Sequence, residues 1–131
     1  MEDVKIKISA LWVAAMLVGF VASMLELFEP SMLEQIIAGE VEGMKITHEL
    51  LLLMGILMVI PPIMVFLTLI LKDSVNRWAN VILGIFFAGF GLTELLTNLG
   101  KYAAYYIFVS IVGFVLEALI VWYAWKWRQK A

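Results

Sequence analysis

The chain has 131 residues, of which 64% are hydrophobic, and its formal net charge at pH 7 is −2. Its mean hydropathy of +1.01 is far above that of a soluble domain. The lack of cysteine excludes disulfides, thiol catalysis and Cys-ligated metal centres. No basic patch is interleaved with aromatic residues, so the expected partner is the lipid bilayer and not nucleic acid. We therefore expect a single membrane domain over residues 1–131.

The first apolar segment, residues 8–28, is long enough to cross a bilayer as a helix. It is followed by the longest loop, residues 29–47, which is rich in Glu. Pro30 suits the first position of a helix in this loop, and Gly39 and Gly43 would end that helix. Its apolar face would consist of Met32, Leu33, Ile36 and Ile37. The pattern predicts a short amphipathic helix on the outer membrane surface.

Three further apolar segments cover residues 48–71, 76–98 and 102–125. A tight basic turn is expected over residues 72–77, between the second and third spans. With the first span, these segments predict an all-α fold. That fold is a four-helix transmembrane bundle with up-down-up-down topology.

The second span contains Pro61 and Pro62 near its middle. Proline removes backbone N–H donors, so the helix is expected to kink there. A kink that only shapes the bundle is one interpretation, and a hinge is the other.

The distribution of Lys and Arg predicts the orientation in the cell membrane. One side would carry Lys5, Lys7, Lys72, Arg77, Lys126, Arg128 and Lys130, and the other only Lys45 and Lys101. The positive-inside rule then places both termini in the cytoplasm. Asn76, Arg77, Trp78 and Asn80 would anchor the third span at that face in preference to binding a ligand.

Polar side chains form a predicted outer layer. With a helical rise of about 1.5 Å per residue, Glu94 lies about 26 Å from the inner edge and Glu26 about 28 Å. His48 and Glu49 lie slightly further out, and Asn98 shares the stripe of Glu94. These groups predict an outward-opening pocket for a proton or a small solute. The alternative is that the groups near helix ends are simply solvated.

Glu117 is the deepest carboxylate, because nine residues of helix, or about 14 Å, separate it from Lys126. Gly84, Ala88 and Gly91 form a stripe of small residues that continues to Glu94, and Glu117 lies on a similar stripe. Glu26 lies on a third such stripe, with Ala15, Gly19 and Ala22. Because these stripes face other helices, all three carboxylates are expected to point inward. The alternative role of Glu117 is structural, as a protonated group bonded to Ser110 or to a backbone carbonyl.

A metal site is not predicted. One His with several Glu is a chemically acceptable donor set, but no Glu-x-x-His pair occurs within a helix as in di-iron bundles. No cofactor motif or catalytic nucleophile is recognisable either, so the protein is not expected to be an enzyme.

Four stretches carry a resemblance to a known group of proteins. They are Ala10-Leu11-Trp12, Ile60-Pro61 with Met64-Val65-Phe66-Leu67, Val75-Asn76-Arg77-Trp78-Ala79-Asn80, and Val121-Trp122-Tyr123-Ala124-Trp125-Lys126-Trp127. The chain resembles small uncharacterised prokaryotic four-span membrane proteins, similar in architecture to DoxX-like proteins. The resemblance implies an integral four-helix protein and supplies no reaction. The proteins that it resembles have an acidic residue slightly earlier in the first span than Glu26, where this chain has Ser23. The resemblance therefore does not identify any functional residue of this chain.

The leading hypothesis is a small transporter or channel-like protein that handles protons or a small solute, with Glu117 and Glu94 as its charge-handling groups. It would act as a homo-oligomer. The alternatives are a non-catalytic accessory or scaffold subunit of a larger membrane partner, and a DoxX-like enzyme subunit.

Overall fold

The computed structural model describes residues 3–41, 43–97 and 104–127. In these ranges the chain forms five helices: α1 (Asp3–Leu27), α2 (Pro30–Ile37), α3 (His48–Ile70), α4 (Asp73–Thr97) and α5 (Ala104–Lys126). All except α2 are long and apolar enough to cross a membrane. The predicted all-α four-helix transmembrane bundle, with a short helix after the first span, is therefore confirmed.

Helix α2 is amphipathic, as its sequence predicts. Pro30 occupies its first turn, and Met32 is buried against the rest of the protein. Leu33 and Ile37 remain exposed. These exposed apolar side chains suit a helix that lies on a membrane surface.

A small β-hairpin follows α2 and was not foreseen from the sequence. Strand β1 (Glu40–Val41) pairs antiparallel with strand β2 (Met44–Lys45), with Glu40 opposite Lys45. Gly39 and Gly43 have φ values of 81° and 78°. Glycine adopts this left-handed conformation without a steric penalty. Gly39 therefore follows the end of α2, and Gly43 lies in the turn of the hairpin.

The turn between α3 and α4 is shorter than predicted. Residues 73–77 belong to α4, so only Leu71 and Lys72 separate the two helices. Asp73 lies in the first turn of α4, where a carboxylate interacts favourably with the helix dipole. The Asn76 N–H also donates to the Lys72 carbonyl at 2.7 Å.

The four long helices do not pack equally. Helix α5 packs extensively against both α1 and α4, and α3 packs along α1. Helices α3 and α4 are consecutive in sequence but share only a small contact. Helix α5 therefore lies between α1 and α4, and α3 is held mainly by α1.

The hydrophobic core lies at one end of the bundle, where α1 begins, α3 turns into α4, and α5 ends. We call this the basic end, since Lys5, Lys7, Lys72, Arg77 and Lys126 lie there. Its buried apolar side chains are Ile8, Trp12, Met64, Val81, Ile120, Ala124 and Trp127. The opposite end, which carries α2 and the hairpin, is the acidic end.

A network of buried hydrogen bonds joins three helices within this core. The Asn80 side-chain oxygen accepts from Trp12 Nε1 at 2.7 Å and from Thr68 Oγ1 at 3.3 Å. The Asn80 amide nitrogen donates to the side-chain oxygen of Asn76 at 2.7 Å. Asn76 in turn donates to the Thr68 carbonyl at 2.6 Å. Because Asn76, Asn80 and Thr68 are fully buried, the network ties α1 and α3 to α4 without water.

Removing the centre of this network tests its contribution to stability. We expect Asn80→Leu to lower the free energy of unfolding by about 1–2 kcal/mol, the upper range for hydrogen bonds between membrane helices. Leucine has similar size, but it leaves the Trp12 N–H and the side-chain oxygen of Asn76 without their partner. The measurement is reversible unfolding in mixed micelles.

Thr93→Val is the matched control, because the exposed Thr93 hydroxyl donates only to the Gly89 carbonyl of its own helix. Equal losses in the two variants would show that the Asn80 network adds nothing beyond an ordinary intrahelical bond.

Candidate functional site

The stripe of small residues on α4 packs against α5. Gly84 and Ala88 are buried, and a β-carbon placed on Gly84 would lie 2.7 Å from Cγ2 of Val121. Gly113 faces the other way, since a β-carbon there would lie 3.6 Å from Cγ1 of Val18 on α1. Close approach through small residues is the usual way for membrane helices to pack.

Glu117 lies on α5 where this close approach continues. A β-carbon on Gly91 would lie 3.6 Å from Oε1 of Glu117, so the carboxyl group rests against the backbone of α4. The side chain is half-buried. The hydrogen bonds and ion pairs formed within the described residues do not include this carboxyl group, so the bonds of the alternative, structural role, to Ser110 or to a backbone carbonyl, are not among them. A hydrogen-bonding group thus lies at membrane depth between two apolar helices.

Glu94 is also half-buried and follows Gly91 by three residues on α4. It therefore lies about 4.5 Å further towards the acidic end. Its neighbours Thr93 and Thr97 donate to the carbonyls of Gly89 and Thr93, at 2.8 and 2.7 Å. A hydroxyl group has a single proton, so these two are committed to the backbone of α4.

The other predicted site residues are spread over the acidic end. Glu26 is half-buried near the end of α1, whereas His48 and Glu49 are exposed at the start of α3. Asn98 lies outside the described residues. Helix α3 has no contact interface with α5, so His48 and Glu49 are not brought next to Glu117. Binding of an ion or solute by the whole set stays a prediction.

The Pro61–Pro62 pair lies inside α3, which continues through it as one helix from His48 to Ile70. Pro61 is half-buried and Pro62 is exposed. On the basic side of the prolines, Met64 and Thr68 are buried in the core. On the other side, the run from Leu51 to Ile56 is exposed. The pair therefore separates a packed from an unpacked half of α3, and its role as a hinge stays a prediction.

One contact at the acidic end was not foreseen from the sequence. The Tyr105 hydroxyl at the start of α5 donates to the Glu29 carboxylate just before α2. With Leu25 and Phe28 these two residues line a shallow pocket of about 300 Å³. Glu29 and Tyr105 are far apart in sequence and belong to no shared pattern, so no periodicity could have paired them.

Metal-binding potential is low in the part of the chain that the structure describes. No group of three or more His, Asp or Glu side chains there is arranged to hold a metal ion.

The four apolar spans define a small multi-pass integral membrane protein. Residues 1–131 match the model of a family described as "Family of unknown function (DUF6326)", and the chain belongs to that family. The match is to this family and not to a DoxX-like one, so the architectural resemblance extends only to the four-span layout. A search of curated proteins and a search of solved structures found no match.

The close approach of α4 and α5 can be tested at Gly84. A β-carbon in Gly84→Ala would meet Val121, whose β-branched side chain has little freedom to move away. We expect the free energy of unfolding to fall by about 1–3 kcal/mol, as for other overpacked sites. The measurement is again unfolding in mixed micelles.

Gly89→Ala is the control on the same helix, because nothing lies within 4 Å of a β-carbon there. Adding Val121→Ala to the Gly84→Ala variant should restore much of the lost stability. A Gly84→Ala variant as stable as Gly89→Ala would contradict the observed packing.

Proposed function

We propose that the protein moves protons or a small solute across the membrane, with Glu117 as the group that takes up and releases charge. The observation that carries the proposal is the placement of the Glu117 carboxyl group against Gly91, at membrane depth between two apolar helices. Charged side chains within a span are costly, and in most membrane proteins they mark a path for ions or protons.

The surroundings of Glu117 support a path towards the acidic end. Glu94 lies on the same stripe of α4 as Gly91; Thr93 directly precedes it, and Thr97 follows it by about one turn. The acidic end is also loosely packed, since the buried core residues are concentrated at the basic end. Under this proposal, water reaches Glu117 from the acidic end.

Towards the basic end, the proposed path meets close packing. Gly84 lies against Val121 and Ile120, and the Asn76–Asn80 network with Trp12 fills the space beyond them. Transport across the whole membrane would require this end to open. The Pro61–Pro62 pair is our candidate hinge, because α3 carries Thr68 of the network on its packed half.

The test is proton flux into liposomes that contain the purified protein and a trapped pH-sensitive dye. We expect flux with the wild type and a fall to the level of protein-free liposomes with Glu117→Gln, since the amide cannot carry the proton. Glu34→Gln removes an equivalent charge from exposed α2 and should leave the flux unchanged.

Flux that is the same in the wild type and Glu117→Gln would overturn a proton-carrying role for Glu117. Solute uptake driven by a pH gradient would be measured in the same liposomes. Uptake that is the same in the wild type and Glu117→Gln would overturn a role for Glu117 in solute transport.

A second candidate is an accessory subunit that packs against a larger membrane protein. It is favoured by the unpacked half of α3, where the side chains from Leu51 to Ile56 are exposed and α1 is the main neighbour. A purified protein that is stable and active in flux on its own would exclude this role. Flux only in the presence of a co-purifying membrane protein would favour it.

A further inference from the structure

We propose that the basic end holds a binding site for the phosphate of an anionic phospholipid headgroup, between α4 and α5, with Arg77 as the central contact. This site is independent of transport through Glu117, which lies seven residues before Ala124 on α5 and is therefore about 10 Å deeper by helical rise.

Arg77 is fixed in place by the end of α5. Its Nε donates to the Ala124 carbonyl at 3.1 Å, and its Nη2 donates to the Trp125 carbonyl at 2.9 Å. These carbonyls belong to the last turn of α5, where the helix leaves acceptors unused. The guanidinium group is therefore held in one orientation before any ligand arrives.

The charge of Arg77 is not neutralised by these contacts. The carbonyl groups carry no net charge, and no carboxylate of the described residues forms an ion pair with Arg77. A guanidinium group has five N–H donors, so three remain for a ligand. A phosphate group accepts paired hydrogen bonds from this planar fork.

Two indole rings lie next to the guanidinium group. The Arg77 Cζ lies 5.2 Å from the ring centre of Trp78 and 5.6 Å from that of Trp125. The two rings meet edge to face, with centres 6.1 Å apart. Trp78 is 48% exposed and Trp125 is 58% exposed. Exposed indoles next to a cation are typical of the membrane interface, where lipid headgroups lie.

Two further cations lie on neighbouring parts of the same end. Lys126 Nζ lies 4.3 Å from the ring centre of Trp122, and Lys7 Nζ lies 5.8 Å from that of Tyr123. The nearby acid Asp73 is already ion-paired with Lys5 at 3.3 Å. The surface around Arg77 thus keeps an excess of positive charge that attracts an anionic headgroup.

A phospholipid explains these features better than a free phosphate does. The indoles of Trp78 and Trp125 offer apolar surface beside the cation, which acyl chains can cover and a soluble anion cannot. The occupant we infer is therefore a lipid such as phosphatidylglycerol and not inorganic phosphate.

The test measures phosphatidylglycerol binding to the full chain by native mass spectrometry, after release from nanodiscs of phosphatidylcholine with increasing phosphatidylglycerol. We expect Arg77→Gln and Lys126→Gln each to weaken the binding about fivefold, the effect of one basic residue near an anionic membrane. Arg77→Lys should also bind less well than the wild type, because it keeps the charge and loses the fork.

Lys45→Gln is the matched control, since it removes one charge from exposed β2 at the opposite end. If Lys45→Gln weakened phosphatidylglycerol binding as much as Arg77→Gln does, net charge alone would determine the binding, and the proposed site would be wrong. Lys126→Gln decides the outcome if Arg77→Gln fails to fold, because among the described residues the Lys126 side chain contacts the Trp122 ring and forms no hydrogen bond that holds α5. Unchanged binding in Lys126→Gln, or displacement of the lipid by inorganic phosphate, would equally overturn the proposal.

Discussion

The interaction on which the bundle depends is the buried amide pair Asn76–Asn80. In a bilayer, apolar side chains gain little by packing against each other instead of lipid, so the position of a helix must come from shape and from hydrogen bonds. Asn80 receives bonds from Trp12 on α1 and Thr68 on α3, and both amides stand on α4. Because these buried groups have no water to bond with instead, their hydrogen bonds fix the relative rotation of three helices.

The unequal packing of the two ends follows from this network. At the basic end, side chains interlock around the amides and Gly84 brings α4 against α5. Towards the acidic end, α3 and α4 lose contact and the spans offer mostly exposed apolar surface. Glu117 lies where these two halves meet, on the acidic-end side of the packed core. That position suits a group that must change its charge during a cycle, and it links the proposed function to the architecture.

The sequence was sufficient for the spans, for α2 and for the stripe of small residues on α4, because each depends on local periodicity. It was not sufficient for the hairpin, which depends on the left-handed backbone of Gly39 and Gly43. The sequence also could not reveal that Asn76 and Asn80 are fully buried. Next to Trp78, the same residues fit the pattern of anchors at the membrane interface equally well. The pairing of Tyr105 with Glu29, and of Arg77 with the end of α5, depends on which helices are neighbours. For the candidate site, the depth of Glu117 in the membrane could be predicted from its spacing to Lys126. Its contact with Gly91 could not, because that contact depends on how α4 and α5 pack.

The neighbour relations also bear on how the chain enters the membrane. Helices α1 and α3 form one packed pair, α4 and α5 form another, and the interface of α1 with α5 joins the pairs. During synthesis, the pair of α1 and α3 is complete before α5 is made. Trp12 and Thr68 lack their hydrogen-bond partner until α4 supplies Asn80. The surface of α1 that α5 covers stays open until α5 has been made. Assembly of this bundle thus depends on α5, and a chain truncated before α5 would present that surface to any other helix nearby.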